Sequence, residues 1–519
     1  MTASTDSTEP AAGQELLSER VAGGVLPRVL TTFDMVAIFV AIVLFITNAA
    51  VIQSAGPAAF GWWIIAFVVF LIPCAIVTGQ LGAMFPGEGS IYLWTHKAFG
   101  PFWGFFAGFC AWWPGVLVMV ATGTLTMSFL GFAFPGTLGD LSIQWQGAVI
   151  VGILIIAALL AAMRFRLTQN VVNVVFVLYG LAILAMFAAG FAYLARGHSA
   201  ATNPGDFGTW APGNDHGINF ANWSFFGLAV LALLGVEVPL NMGVEIKEER
   251  AVTRYLLWGS VVVVVAYLLA TWGVMVTVPG KDSAGITAVA AAVGIGIASW
   301  LGKAVALILA AMFFIITVVY NYSFARLIFV SGLDRRLPAV MSHVNKAKVP
   351  DVAVWVQTVI AGLFTLIAFI IVPAAASRPA ADVQTQVYDV LQAAVTVIWC
   401  LSIIVLFVDV LIILRRYRTR FLARRLAHPA VFWVASIVGA LASLVGVVAT
   451  LSGSWTPLIS NDAGSVKFLG AEISYGAWFW WVGGIALVSL VVGALLYVVG
   501  ARTARRPAAG VPAEGAAGS

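Results

Sequence analysis

Phe226-Gly227-Leu228-Ala229-Val230-Leu231-Ala232-Leu233-Leu234-Gly235-Val236-Glu237-Val238-Pro239-Leu240-Asn241 is the stretch on which the reading of this chain turns. Its first nine residues carry no polar side chain and suit a helix surrounded by hydrocarbon, but the next seven bring a glycine, a carboxylate, a proline and an amide. Pro239 has no backbone N–H and its ring crowds the preceding turn, while Gly235 tolerates dihedrals that other residues resist, so the helix is expected to break here. Glu237 is the one acid in the run. An ionisable group at membrane depth is a functional candidate by default; the structural alternative places it at a helix end, paired with an arginine or a free amide.

The rest of the chain supports lipid as the solvent. Of 519 residues, 61% are hydrophobic and 9% charged, where soluble domains carry roughly 25% charge. Backbone groups in hydrocarbon must be satisfied internally, so the long continuous apolar runs are read as helices of about 20 residues rather than barrel strands. Twelve such spans are predicted, near 33–54, 61–83, 101–130, 145–163, 170–194, 221–243, 255–277, 302–328, 352–372, 389–413, 430–452 and 477–499. Residues 1–30 and 501–519 then form tails around a single membrane domain over 31–500. The opening segment has no signal-peptide core and is expected to stay unstructured to about Val25. The stretches near 280–300 and 453–476 are expected to hold short surface helices.

Charge sets the orientation. With both termini inside, 22 of the 27 Lys and Arg fall on the inner side, leaving Arg196, Lys281, Lys303, Arg378 and Lys467 outside. That asymmetry follows the positive-inside rule and predicts a bacterial inner-membrane protein with cytoplasmic termini. The basic balance is read as contact with anionic membrane lipid, with no nucleic-acid partner. Cys74, Cys110 and Cys400 lie in apolar stretches without paired spacing, and five histidines, mostly in loops, supply no metal or catalytic cluster. Neither a metal nor a cofactor is expected.

Carriers commonly place their midplane site where helices unwind. The first and sixth spans are the candidates, and they head two sets of five, spans 1–5 and 6–10, with two left over. In the first span, Asn48 needs a partner in hydrocarbon and either lines the cavity or bonds a neighbouring helix. On the third, Trp112, Met119 and Thr122 share a face at spacings of seven and three, with Trp112 a candidate gate. Tyr320 with Ser323 on the eighth and Thr396 on the tenth complete the pocket candidates, each open to a packing role instead.

At this point the chain resembles the amino acid-polyamine-organocation transporters. The resemblance rests on Ser54-Ala55-Gly56-Pro57-Ala58-Ala59-Phe60-Gly61-Trp62, on Gln80-Leu81-Gly82-Ala83-Met84-Phe85-Pro86-Gly87-Glu88-Gly89-Ser90-Ile91-Tyr92 and on Phe99-Gly100-Pro101-Phe102-Trp103-Gly104-Phe105. It continues in Gly235-Val236-Glu237 with Glu245-Ile246-Lys247, and from Arg326 through Leu337-Pro338 to Val344-Asn345-Lys346-Ala347-Lys348-Val349-Pro350. Ile72-Pro73, Trp94 and Val278-Pro279-Gly280 most resemble the glutamate/GABA antiporter branch.

The resemblance implies an all-α membrane fold with a five-plus-five inverted repeat, as in the leucine transporter, and two further C-terminal helices. It also implies that a substrate's carboxylate and ammonium meet unwound backbone at Ala41, Ile42 and Val43 and at Leu231, Gly235 and Val236. Two positions depart from the family. Its glycine-rich break falls, counted from Gly56, on the bulkier Ala41-Ile42-Val43, and the lysine some proton-coupled members carry on helix five falls near Asn173.

The function expected is secondary active transport of an amino acid, with Glu237 in coupling or gating and a proton or counter-substrate as partner. An amine or polyamine antiporter is the alternative within the superfamily. A channel-like or sensing protein that binds an amino acid without pumping is the alternative outside it.

Overall fold

The computed structural model describes residues 16–504 apart from 215–216, 249, 280–284, 376–379, 454–465, 469–470 and 474. Gly280 of the motif Val278-Pro279-Gly280 and most of the C-terminal tail lie outside these residues. Ten described helices are long and apolar enough to cross a membrane: Ala58–Met84, Pro101–Ala133, Ile143–Ala161, Phe165–Ala195, Arg250–Thr277, Ser299–Leu333, Asp351–Ile371, Asp389–Arg416, Pro429–Ser452 and Gly476–Arg502. They correspond to the second to fifth and seventh to twelfth predicted spans.

The two remaining spans are the broken ones. Span one runs as Thr32–Val43 and Thr47–Ala55, bent by 43° at the break. Span six is α-helical only over Ser224–Leu231 and resumes as a 3-10 turn at Val238–Asn241.

Element lengths repeat across the two halves. After each broken span come a helix of 27 or 28 residues, a short helix of 10 or 9 (Ser90–Phe99 and Ala288–Gly296), a long span of 33 or 35, a short span of 19 or 21 and a span of 31 or 28. A unit of five spans crosses the membrane an odd number of times, so its second copy is inverted. Span three, 78% buried over its apolar window, is central, and span twelve, at 22%, faces lipid.

Prolines shape two of the regular spans. A π-helical turn at Phe67–Leu71 precedes Pro73, and one at Ile367–Ile371 precedes Pro373. The missing proline N–H would orphan a carbonyl one turn back, and the wider turn redistributes the hydrogen bonds around that gap.

The basic loops gather on one face, as the charge pattern requires. Lys97 pairs with Glu19 at 2.7 Å, Arg420 donates to the Met84 carbonyl at 2.9 Å and Asn345 to the Ala162 carbonyl at 2.9 Å.

One expectation is corrected. The N-terminal segment is ordered from Leu16: Leu17–Val25 is a helix, and Ser18 donates through its amide and hydroxyl to the two Asp334 oxygens at 2.9 and 2.8 Å. Leu30 then bridges to Ile246 in parallel. The composition Leu-Ser-Glu-Arg-Val-Ala-Gly-Gly-Val hides this, because the helix is held by docking rather than by propensity. In the stretch before span twelve, where a surface helix is expected, residues 454–465 lie outside the described residues, and Val466–Phe468 pairs with Ala471–Ile473 as an antiparallel hairpin. Its charges alternate with apolar residues about a glycine, which is a strand pattern.

Candidate substrate site

The break in span one lies at Leu44–Ile46, three residues beyond Ala41-Ile42-Val43. Those three stay in the last helical turn and are buried. The register therefore shifts from the expectation. No glycine is needed because tyrosines from three other spans complete the freed peptide groups. Tyr320 of span eight donates to the Ile42 carbonyl at 3.0 Å. Tyr179 of span five donates to the Leu44 carbonyl at 2.9 Å and accepts from the Ile46 amide at 3.2 Å. Tyr267 of span seven accepts from the Phe45 amide at 3.1 Å, and its hydroxyl lies 3.2 Å from the Val43 carbonyl and 3.0 Å from that of Ala232.

Tyr267 thus touches both breaks, and Trp63 holds it in place by stacking at 4.1 Å while its own indole donates to Thr271 at 3.0 Å. Tyr267→Phe keeps the ring and leaves a buried amide and carbonyls unsatisfied, at a cost of about 1–3 kcal/mol. A lower melting temperature and roughly tenfold slower transport are expected in proteoliposome assays; parent values would show that water replaces the hydroxyl.

Span six breaks over Ala232–Glu237. Gly235 sits at φ +99°, and a Cβ there would lie 2.5 Å from Ile42 Cγ2, so the two breaks abut. The Gly235 carbonyl accepts from the Val238 amide at 3.1 Å, so the loss at Pro239 is absorbed locally. The amides of Gly235 and Val236 find no acceptor among the described residues. Val236 is buried, and Leu231, which ends the helical half, is partly exposed.

Glu237 is 1% exposed. Its partner is neither an arginine nor a helix-end amide from another segment: Trp399 of span ten donates to its Oε1 at 2.9 Å, while Oε2 has no hydrogen-bond partner. No Lys, Arg or His forms an ion pair with it among the described residues. A buried carboxylate without a countercharge is costly. A carboxyl so placed is satisfied by a proton or by a cation that reaches it.

The other candidates divide. Asn48 is half-buried and within reach of the Tyr267 hydroxyl. Met119 is buried, while Thr122 shares a 2.7 Å hydrogen bond with Thr317 that ties span three to span eight. Thr396 bonds the Gln392 carbonyl of its own helix at 3.0 Å. Trp112 faces away from the breaks: its indole donates to Gln357 of span nine at 3.1 Å, and its ring lines an apolar recess with Phe105, Leu327 and Met341. Asn173, the position to which the resemblance assigns a lysine in some members, donates to Asp34 at 2.6 Å, and the positive charge comes from Arg166, also at 2.6 Å.

Sequence reasoning missed Tyr179, Tyr267, Trp63 and Trp399. The available signal was a phenol or indole inside an apolar run, since such groups need a partner when buried.

Two interrupted spans meeting inside an inverted-repeat helical bundle form the architecture on which secondary transporters are built. The chain belongs to the amino acid permease family, whose model matches residues 30–469. It is 23% identical over 252 residues to the probable agmatine/putrescine antiporter AguD of Lactococcus lactis, an alignment covering 48% of this chain and about half, 51%, of that relative. It is 24% identical over 381 residues to the inner membrane transporter YjeM of Salmonella typhimurium, covering 64% of this chain and 72% of YjeM. The polyamine transporter PUT1 of rice, Oryza sativa, is 31% identical over 121 residues, 22% of this chain and 23% of PUT1.

Proposed function

We propose that the chain is a secondary active transporter of small ammonium-bearing solutes, amino acids first, working by alternating access around the two breaks. The observation that carries this reading is Glu237, buried at the junction with one oxygen unpartnered and, among the described residues, no cation paired with it. Its carboxylate would take the ammonium. The unpartnered Gly235 and Val236 amides would take a carboxylate, and the basic face would be cytoplasmic by the positive-inside rule.

A second reading is favoured by one observation: the amides of Phe45 and Ile46 are already engaged by tyrosine hydroxyls. With that half of the carboxylate cradle filled, an amine or diamine without a carboxylate fits the site as well, and the names of AguD and PUT1 point the same way. Coupling would be to a proton or to a counter-substrate. Uptake into proteoliposomes of labelled amino acids, each competed with its decarboxylated amine, separates the two. Saturable uptake accelerated by internal substrate is expected, and non-saturable flux for every amino acid and amine would sink the carrier reading.

Glu237→Gln keeps an oxygen for Trp399 and removes the charge. A hydrogen bond to a charged group contributes about 1.5–3 kcal/mol, so KM for an ammonium substrate should rise roughly tenfold to a hundredfold. An unchanged KM in uptake kinetics would make Glu237 a packing residue.

A further inference from the structure

On the basic face three charged side chains are sealed from solvent. Arg326 of span eight, Glu245 after span six and Glu88 in the loop after span two each have 0% side-chain exposure. Arg326 donates through Nε and Nη2 to Glu245 Oε1 at 3.0 and 2.8 Å. Its Nε also lies 3.7 Å from Glu88 Oε1, beyond hydrogen-bond length. The rings of Phe165 and Tyr322 flank the guanidinium at 5.2 and 5.9 Å. Two carboxylates therefore share one cation, and Glu88 Oε1 and Glu245 Oε2 have no hydrogen-bond partner.

We propose that Glu88 and Glu245 together form a proton-binding site, holding one proton between them in this closed arrangement and releasing it when the basic face opens. The inference rests on the carrier reading only for its consequence to transport. With both acids ionised the cluster would bury a net negative charge. A proton removes that charge and supplies the donor that two orphaned oxygens lack.

The surrounding charges do not supply this compensation. Asp34 of span one is neutralised by Arg166 of span five at 2.6 Å, and Tyr322 of span eight donates to Gln169 at 2.9 Å. Arg28, Lys247 and Glu248 border the adjoining recess beside Gly87 and Gly243, and among the described residues none of them forms an ion pair with either acid. Burial and the neighbouring Glu245 carboxylate push Glu88 well above the usual carboxylate range, against the pull of Arg326. Burial raises Glu245 as well.

The segments explain why opening releases the proton. Glu88 bridges to Met242, the Gly89 amide bonds the Asn241 carbonyl at 2.9 Å, and the Glu245 carbonyl accepts from Val29 and Leu30 at 2.9 and 3.0 Å. Both acids thus sit on strands of chain sewn together, whereas Arg326 belongs to span eight, packed on span three. Parting the two sides admits water to the carboxyls. The carboxyl O–H then dissociates to that water, leaving two solvated carboxylates, and reclosure takes a proton back.

Glu88→Gln in the full chain tests this. A carboxyl raised in the folded state stabilises below its ordinary titration and loses that contribution as pH rises, so the parent's melting temperature should fall as pH climbs above the usual carboxylate range. The variant should lose that part of the slope, and proteoliposomes with a trapped pH dye should lose substrate-driven proton movement while substrate exchange persists. If Gln does not fold, Glu88→Ala serves the same comparison. A melting profile with the parent's slope overturns the proton site. Loss of the slope in a protein, parent included, that moves no amine or amino acid retains the proton site and removes the carrier reading.

Discussion

Gly235→Leu is expected to reach the membrane folded and to transport nothing. The residue stands at φ +99°, where an L side chain costs roughly 1–2 kcal/mol. The first added carbon would meet Ile42 at 2.5 Å and Trp399 at 3.3 Å. Trp399 is the hydrogen-bond donor to Glu237, so yielding there displaces a donor from the buried carboxylate. Overpacking adds about 1–3 kcal/mol. That sum is borne by the junction between the breaks rather than by the surrounding helical core, and each 1.36 kcal/mol corresponds to about tenfold in rate. Uptake normalised to membrane protein should fall at least about a hundredfold, with unchanged gel-filtration behaviour. Parent-like uptake would remove the junction from the mechanism.

Arg326→Leu should be the most destabilising single change on the basic face. Removing the guanidinium strands Glu245 without its two donors at 3.0 and 2.8 Å and leaves the negative charge that the Glu88 and Glu245 pair still carries without a countercharge in a dry site. Breaking a buried ion pair from one side costs about 3–5 kcal/mol. The melting temperature in detergent should drop sharply. Adding Glu88→Gln and Glu245→Gln should restore most of it, because neutral amides need no countercharge. A single variant as stable as the parent would mean that the cluster bears no net electrostatic load.

The membrane fold was readable because its causes are local: long apolar runs, one-sided basic loops, and the Gly235, Glu237 and Pro239 cluster in span six. Span one was not readable to the residue. Leu44, Phe45 and Ile46 resemble any lipid-facing run, and what unwinds them is a set of hydroxyls from Tyr179, Tyr267 and Tyr320, far away in sequence. Helix-face arguments also stop at the helix: Trp112 and Thr122 share a side of span three, yet each is committed to a different neighbour. Glu88 gave no sign of its role, since a loop acid becomes significant only when a second acid and an arginine close over it.

The docked N-terminal helix offers a window on motion. It is tied at Ser18 to Asp334, after span eight, and the chain that follows it is tied at Leu30 to Ile246, after span six, so the segment straddles the seam that must widen when the basic face opens. Gly24 is exposed with nothing within 4 Å of an added Cβ. Cys74, Cys110 and Cys400 are all buried. A thiol-directed dye at Gly24→Cys would therefore label one outward position and report each turnover from a site the solute never visits.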